Sequence, residues 1–197
     1  VDNTLVDSRY AEFDSLDRRV KAVDAGGSVF GFAYDEASNL TRITDPDGGI
    51  TRYEFSPINV VSNTFNPLGF KSSRLTDSSR KPLRETNANG LAVNYEYYDA
   101  AGDGRLREVT GALGHSNVHT YDANGNIVER INVGSDQTTM RSTKTNYDAL
   151  NRRIRQVGPV YNDILLGNVR PVNTFTFDAL GNLTQVFAGH TPDLTGN

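Results

Sequence analysis

Residues His119–Val133 read HTYDANGNIVERINV. An aromatic precedes Asp122, and oxygen-bearing residues surround Gly125, so the stretch has three readings: a calcium loop, a catalytic aspartate on a turn, or a turn alone. An EF-hand loop opening at Asp122 needs an acidic ligand at its twelfth position, which here is Val133. Valine cannot ligate, and the calcium reading falls. The fragment YDANGN returns as YDEASN from Tyr34, YDALNR from Tyr147 and FDALGN from Phe177. An aromatic, an aspartate and a turn former stay constant while the supposed ligands change freely. An aspartate so placed accepts hydrogen bonds from backbone N–H groups of the turn it opens, and Gly125 supplies a positive φ. The aromatic before it is expected to pack on the next hairpin as core.

The pattern extends along the chain. The pairs are Phe13-Asp14, Tyr34-Asp35, Phe55-Ser56, Thr76-Asp77, Tyr98-Asp99, Tyr121-Asp122, Tyr147-Asp148 and Phe177-Asp178, whose second residues lie 21, 21, 21, 22, 23, 26 and 30 apart. Three identical intervals make the repeat the governing feature. Turn formers follow three positions later at Asp17, Ser38, Gly125, Asn151 and Gly181, with apolar Leu40, Ile127, Ile154 and Leu183 soon after. A second turn comes about 13 to 15 residues past each anchor at Gly27, Gly48, Gly69, Gly90 and Gly114, after tripeptides such as DPD, NPL, NAN and GAL. Two turns in about 21 residues leave room for two strands of roughly six residues, so each unit is a β-hairpin. Gly49–Phe55 (GITRYEF) and Leu91–Tyr97 (LAVNYEY) show the alternation of half-buried strands. A helix competes over Asp7–Val23, where Tyr10, Phe13, Leu16, Val20 and Val23 fall near helical spacing, and the repeat overrides it. The expected fold class is all-β: one array of about seven to eight tandem hairpins over residues 1–197, with repeats from about 13 to 187.

Composition narrows the function. Twenty basic against 24 acidic residues give a net charge of −4 with no basic cluster, which disfavours nucleic acid. Zero cysteines exclude disulfides, a thiol nucleophile and Cys-ligated metal. No apolar run approaches the roughly 18 to 20 residues of a membrane span. The chain opens on Val1-Asp2-Asn3 without methionine and closes on TPDLTGN, and is read as part of something longer.

Other motifs take structural readings. The sequons at Asn39–Thr41 and Asn182–Thr184 occupy the same repeat position, so the turn explains both. His115 and His119 on a strand stand about 13 Å apart, too far to share an ion, and His190 is isolated. AGDGR at Ala101–Arg105 lacks the Lys-Ser/Thr of a phosphate loop and reads as an enlarged turn, while Asp45 and Asp47 belong to a DPDGG turn. No G-x-S-x-G elbow is present. No catalytic, cofactor or metal residue is assigned, and the chain is not read as an enzyme.

The segments Tyr34–Gly49 (YDEASNLTRITDPDGG), Tyr98–Gly114 (YDAAGDGRLREVTGALG), Tyr121–Ile127 (YDANGNI), Tyr147–Val157 (YDALNRRIRQV) and Phe177–Val186 (FDALGNLTQV) resemble the YD repeats of the rearrangement-hotspot (Rhs) family. That family includes wall-associated and insecticidal-toxin proteins and the teneurins. Phe55-Ser56 and Thr76-Asp77 depart from the pattern, and insertions lie near Ser135–Thr145 and Pro159–Pro171. The resemblance implies a continuous sheet spiralling into a hollow shell around a toxic polypeptide. Implied with it are a secreted or cell-surface bacterial location, and as partners the remaining shell segments and the enclosed toxin. Nothing after Phe187 resembles the family's self-cleaving core segment, so no catalytic residue is carried over. The alternative is a repeat module binding a surface glycan through its tyrosines and phenylalanines.

Overall fold

The computed structural model describes residues 9–99 and 103–193. Every regular element among them is a β-strand. The helical spacing of Asp7–Val23 is overruled, since Tyr10–Phe13 and Arg19–Val23 are strands paired through a tight turn. The chain divides into two compact units, Val1–Val93 and Asn94–Asn197.

In the first unit the strands are β1 (Tyr10–Phe13), β2 (Arg19–Val23), β3 (Val29–Tyr34), β4 (Leu40–Thr44), β5 (Ile50–Phe55), β6 (Val61–Phe65), β7 (Lys71–Thr76) and β8 (Pro82–Thr86). Each pairs antiparallel with the next. The second unit contains β10 (Leu106–Thr110), β11 (Ser116–Tyr121), β12 (Ile127–Val133), β13 (Met140–Tyr147) and β14 (Arg153–Val157). It also contains β15 (Tyr161–Asp163), β16 (Gly167–Phe177) and β17 (Leu183–Pro192), and it takes Asn94–Tyr97 of β9 (Ala92–Tyr97) as the partner of β10. The inserted stretch around Pro159–Pro171 becomes a small extra hairpin: β15 pairs with the first residues of β16, whose continuation pairs with β14. The lengthened interval around Ser135–Thr145 extends β12 and β13 to 7 and 8 residues.

The local chemistry explains the turns. At Asp45-Pro46-Asp47-Gly48, proline suits the second position of a type I turn, and the Gly48 N–H donates to the Asp45 carbonyl at 2.9 Å. Gly48 then takes φ +81°, the left-handed residue that matches such a turn to the twist of its strands. The turn at Asp35 has the same hydrogen bonding, Ser38 N–H to Asp35 carbonyl at 3.1 Å, but the left-handed residue is Ser38, φ 64°. Arg80 holds this position at φ 67° in the Thr76-Asp77 unit, and its guanidinium donates to Ile58 O of the preceding turn at 3.2 Å. Arg80→Gly relieves the left-handed strain, about 0.5–1 kcal/mol, but gives up the bond to Ile58 O, so the urea midpoint is expected to shift little at unchanged m.

A β-bulge accompanies the hairpins closed at the anchor turns, whereas the hairpin of the Asp45–Gly48 turn pairs without a register shift. The register shifts between Glu12 and Phe13, Ala33 and Tyr34, Glu54 and Phe55, Leu75 and Thr76, Thr120 and Tyr121, Asn146 and Tyr147, and Thr176 and Phe177. The extra residue lies on the following strand. Where it carries a hydroxyl it caps a carbonyl across the bulge: Thr41 Oγ1 donates to Ala33 O at 3.2 Å and Ser62 Oγ to Glu54 O at 3.1 Å.

Burial is shallow. Among the described residues Val23, Val133, Val169 and Ser116 are buried, and β5 alternates half-buried with exposed side chains along its length. A hairpin sheet has hydrogen-bonded edges and two faces, so a side chain is covered by cross-strand neighbours rather than enclosed in a second layer. The anchor aromatics differ from full core residues for this reason. Tyr34, Phe55, Tyr98, Tyr121, Tyr147 and Phe177 are half-buried, and Phe13 is 57% exposed.

Candidate functional site

The repeated feature of this chain is its aspartate turn. Asp122 Oδ1 accepts the N–H of Asn124 at 3.0 Å and of Asn126 at 2.9 Å, while Oδ2 accepts Asn126 Nδ2 at 2.9 Å. Asp178 is bonded in the same way by Leu180, Asn182 and the Asn182 side chain at 2.8–2.9 Å. At Asp14 and Asp148 an arginine replaces the asparagine: Arg18 Nε reaches Asp14 Oδ2 at 2.8 Å and Arg152 Nε reaches Asp148 Oδ2 at 2.7 Å. Asp35 takes both the backbone and the side chain of Asn39. Gly125 and Gly181 have φ of 91° and 88° in these turns. The turn after Tyr98-Asp99 is larger, with Gly104 N–H bonded to Asp99 O and Tyr98 N–H to Arg105 O; part of the AGDGR stretch lies outside the described residues.

The residue four places after the aspartate drew notice in the sequence as the sequon asparagines Asn39 and Asn182, without its bonding role. It ties one turn to the next. Arg18 Nη1 donates to Asp35 O at 3.0 Å, with its guanidinium 4.9 Å from the Tyr34 ring centre, and Asn39 Nδ2 donates to Asn59 Oδ1 at 3.2 Å. In the second unit Asn126 Nδ2 donates to Asn151 Oδ1 at 2.8 Å, and Arg152 lies 4.6 Å from the Phe177 ring centre. Arg105, closing the enlarged turn, bonds Asp122 O at 3.0 Å and covers the Tyr121 ring. The signal was present as Arg18, Asn39, Asn126, Arg152 and Asn182, a run of side chains that donate through nitrogen.

The anchor tyrosines also reach across strands through their hydroxyls. Tyr34 donates to Arg19 O at 2.9 Å, Tyr121 to Leu106 O at 2.9 Å and Tyr147 to Ile127 O at 3.3 Å. Tyr98 donates to His119 O at 2.8 Å, and its ring meets that of Tyr121 edge to face at 6.3 Å.

The electrostatics follow from these bonds. Asp14, Asp35, Asp122 and Asp178 are all held below the ordinary carboxylate range, first by the side chain four places on and then by the backbone N–H groups. Asp148 is lowered chiefly by the Arg152 N–H. A proton-transfer group working near neutral pH needs the opposite displacement, upward by burial or a like charge. His119 is pushed down, by burial first and by the Arg130 charge second.

These directions set an acid response. The turn aspartates bind protons less readily folded than unfolded, so their contribution is complete above the unfolded value of about 3.9 and is lost as pH falls through the lower folded values. His119 likewise favours its neutral form in the fold, and its contribution starts to fade below about 6.5. The melting temperature is expected to sag slightly from pH 7 to 5 and to fall steeply below pH 4. A thermal series that stayed flat from pH 7 to 2 would contradict the turn geometry.

The hairpins, bulges and aspartate turns define an all-β protein built of tandem hairpin repeats. The RHS repeat family matches residues 13–50 of this chain. No curated protein matches it. Among solved structures, a Photorhabdus luminescens Tc holotoxin pore with a mutation in TccC3 is similar over 83% of this chain at 18% identity and a TM-score of 0.60. A crystal structure of TcdB2-TccC3-Cdc42 is similar over 92% of this chain at 18% identity and a TM-score of 0.52. This chain spans 9% of the length of each of those chains. At that identity the likeness is one of fold.

Proposed function

We propose that this chain is a non-catalytic segment of the shell of an Rhs-type bacterial exported toxin or cell-surface protein, a wall that surrounds and chaperones a toxic polypeptide. The supporting observation is the set of turn-to-turn bonds, Arg18 to Asp35 and Asn39 to Asn59 in the first unit and Asn126 to Asn151 in the second, which fasten successive anchor turns to one another. Hairpins held at both strand and turn favour a continuous wall. In this reading residues 1–197 are one array, with repeats from about 13 to 187 continuing into further shell segments. Phe13, Asp14, Tyr34, Asp35, Phe55, Tyr98, Asp99, Tyr121, Asp122, Gly125, Tyr147, Asp148, Phe177, Asp178 and Gly181 are its structural anchors. The ionised, turn-bound aspartates favour a structural over a catalytic role. The test is protease protection in the full gene product. Cargo polypeptide should resist digestion while the shell is intact and become sensitive when residues 13–187 are deleted. Cargo equally sensitive in both forms would overturn the proposal.

A further inference from the structure

In the second unit one face of the sheet is furnished with amides, hydroxyls and cations. Asn117 and His119 on β11 stand opposite Asn132 and Arg130 on β12, and Arg130 stands opposite Thr143 on β13. With Gln156 of β14 they line a cleft of about 880 Å³ whose lining holds no carboxylate. The volume lies within the range of small-molecule sites, and the polar lining suits a ligand rich in hydroxyls.

Three observations give the cleft a charge preference. The Arg130 guanidinium has no hydrogen-bond or ion-pair partner among the described residues, although other cations of the chain find carboxylates, as Arg18 does at Asp14 and Lys21 at Glu12. It faces His119 directly, so protonation of the imidazole would set two like charges side by side. The Nδ1 of His119 is buried without a partner, an unmet polar atom in the wall of the cleft. Asn132 Nδ2 meanwhile donates to Asn117 Oδ1 at 2.7 Å, leaving the Asn117 amide hydrogens and the Asn132 carbonyl oxygen for a guest.

We propose that this cleft binds an acidic saccharide, with the carboxylate of a uronic acid on the Arg130 guanidinium and the ring hydroxyls on Asn117, Asn132 and Thr143. The planar fork of arginine matches a carboxylate through two parallel hydrogen bonds. Amides that both donate and accept match hydroxyls that do the same. The cleft uses the sheet face, with the anchor Tyr147 among its lining, while the rings of Tyr34, Tyr121 and Phe177 are engaged by Arg18, Arg105 and Arg152. It stands apart from the shell reading, because saccharide binding and cargo protection are measured separately.

The probe is a disaccharide of two linked galacturonic acids, titrated into the full chain by calorimetry and followed at the His119 imidazole by NMR. Binding is expected with a His119 shift, and affinity should drop about tenfold or more for Arg130→Gln and for the neutral disaccharide with hydroxymethyl in place of carboxyl. Arg155→Gln serves as control, since Arg155 pairs with Thr174 and lines the cleft on the other side of the sheet, and affinity there should be unchanged. Arg130 is exposed, so its variant keeps the fold, as matching amide exchange would verify. No binding at millimolar sugar, equal binding of the neutral sugar, undiminished binding by Arg130→Gln, or inorganic sulfate binding as well as the di-uronate would each overturn the proposal, the last as an adventitious ion only.

Discussion

Tyr121→Ala is expected to destabilise the second unit by about 2–4 kcal/mol, measured by urea unfolding. The loss has two parts. The ring meets Tyr98 edge to face at 6.3 Å and is covered by Arg105, so truncation removes packing on both sides. The hydroxyl bonds Leu106 O at 2.9 Å, and its removal leaves that carbonyl without this donor. Tyr121→Phe separates the two, and should cost only the hydrogen bond, about 0.5–1.5 kcal/mol. The ring is half-buried, which places the alanine cost below that of an enclosed aromatic. Equal losses for the two variants would mean that the ring contributes nothing beyond its hydroxyl.

Gly48→Val is expected to cost about 1–3 kcal/mol, and the cause is backbone strain rather than collision. A Cβ built on Gly48 meets nothing within 4 Å, so space is available. The φ of +81° is what a β-branched residue cannot adopt cheaply. Gly49 next to it gives the contrast: its φ is ordinary, and an added Cβ would lie 3.2 Å from Pro67 Cβ. Gly49→Ala therefore tests packing between neighbouring turns while Gly48→Ala tests conformation. A Gly48→Val protein as stable as the parent in a thermal melt would show that the turn is not held in this geometry.

The period and the turn chemistry were legible because they are local. An aspartate that opens a turn, proline after it and glycine at the left-handed place are dictated within four residues, and they recur often enough to be counted. The bulges were not legible. The bulge residues Val20, Thr41, Ser62, Leu83, Val128, Ile154 and Thr184 share no side-chain type, since a bulge is set by the register of two strands rather than by one residue. The asparagine or arginine four places past the aspartate carries a repeated signal, but its second bond reaches about 17 to 25 residues ahead, and a pattern within one turn does not show that. The anchor rings read as core from their apolar character. Their half-burial follows from the sheet being covered by neighbouring strands alone. The His119–Arg130 juxtaposition likewise depends on the pairing of β11 with β12, which the sequence leaves open.

The central claim is that stability passes from hairpin to neighbouring hairpin, as in a one-dimensional array. Amide hydrogen exchange on Tyr121→Ala, resolved by peptide along the whole chain, tests it most directly. The account predicts faster exchange in β9 to β13 around the altered ring, with β2 to β7 of the first unit protected as in the parent. A uniform loss of protection from β1 to β17 would show a single cooperative core and would contradict it.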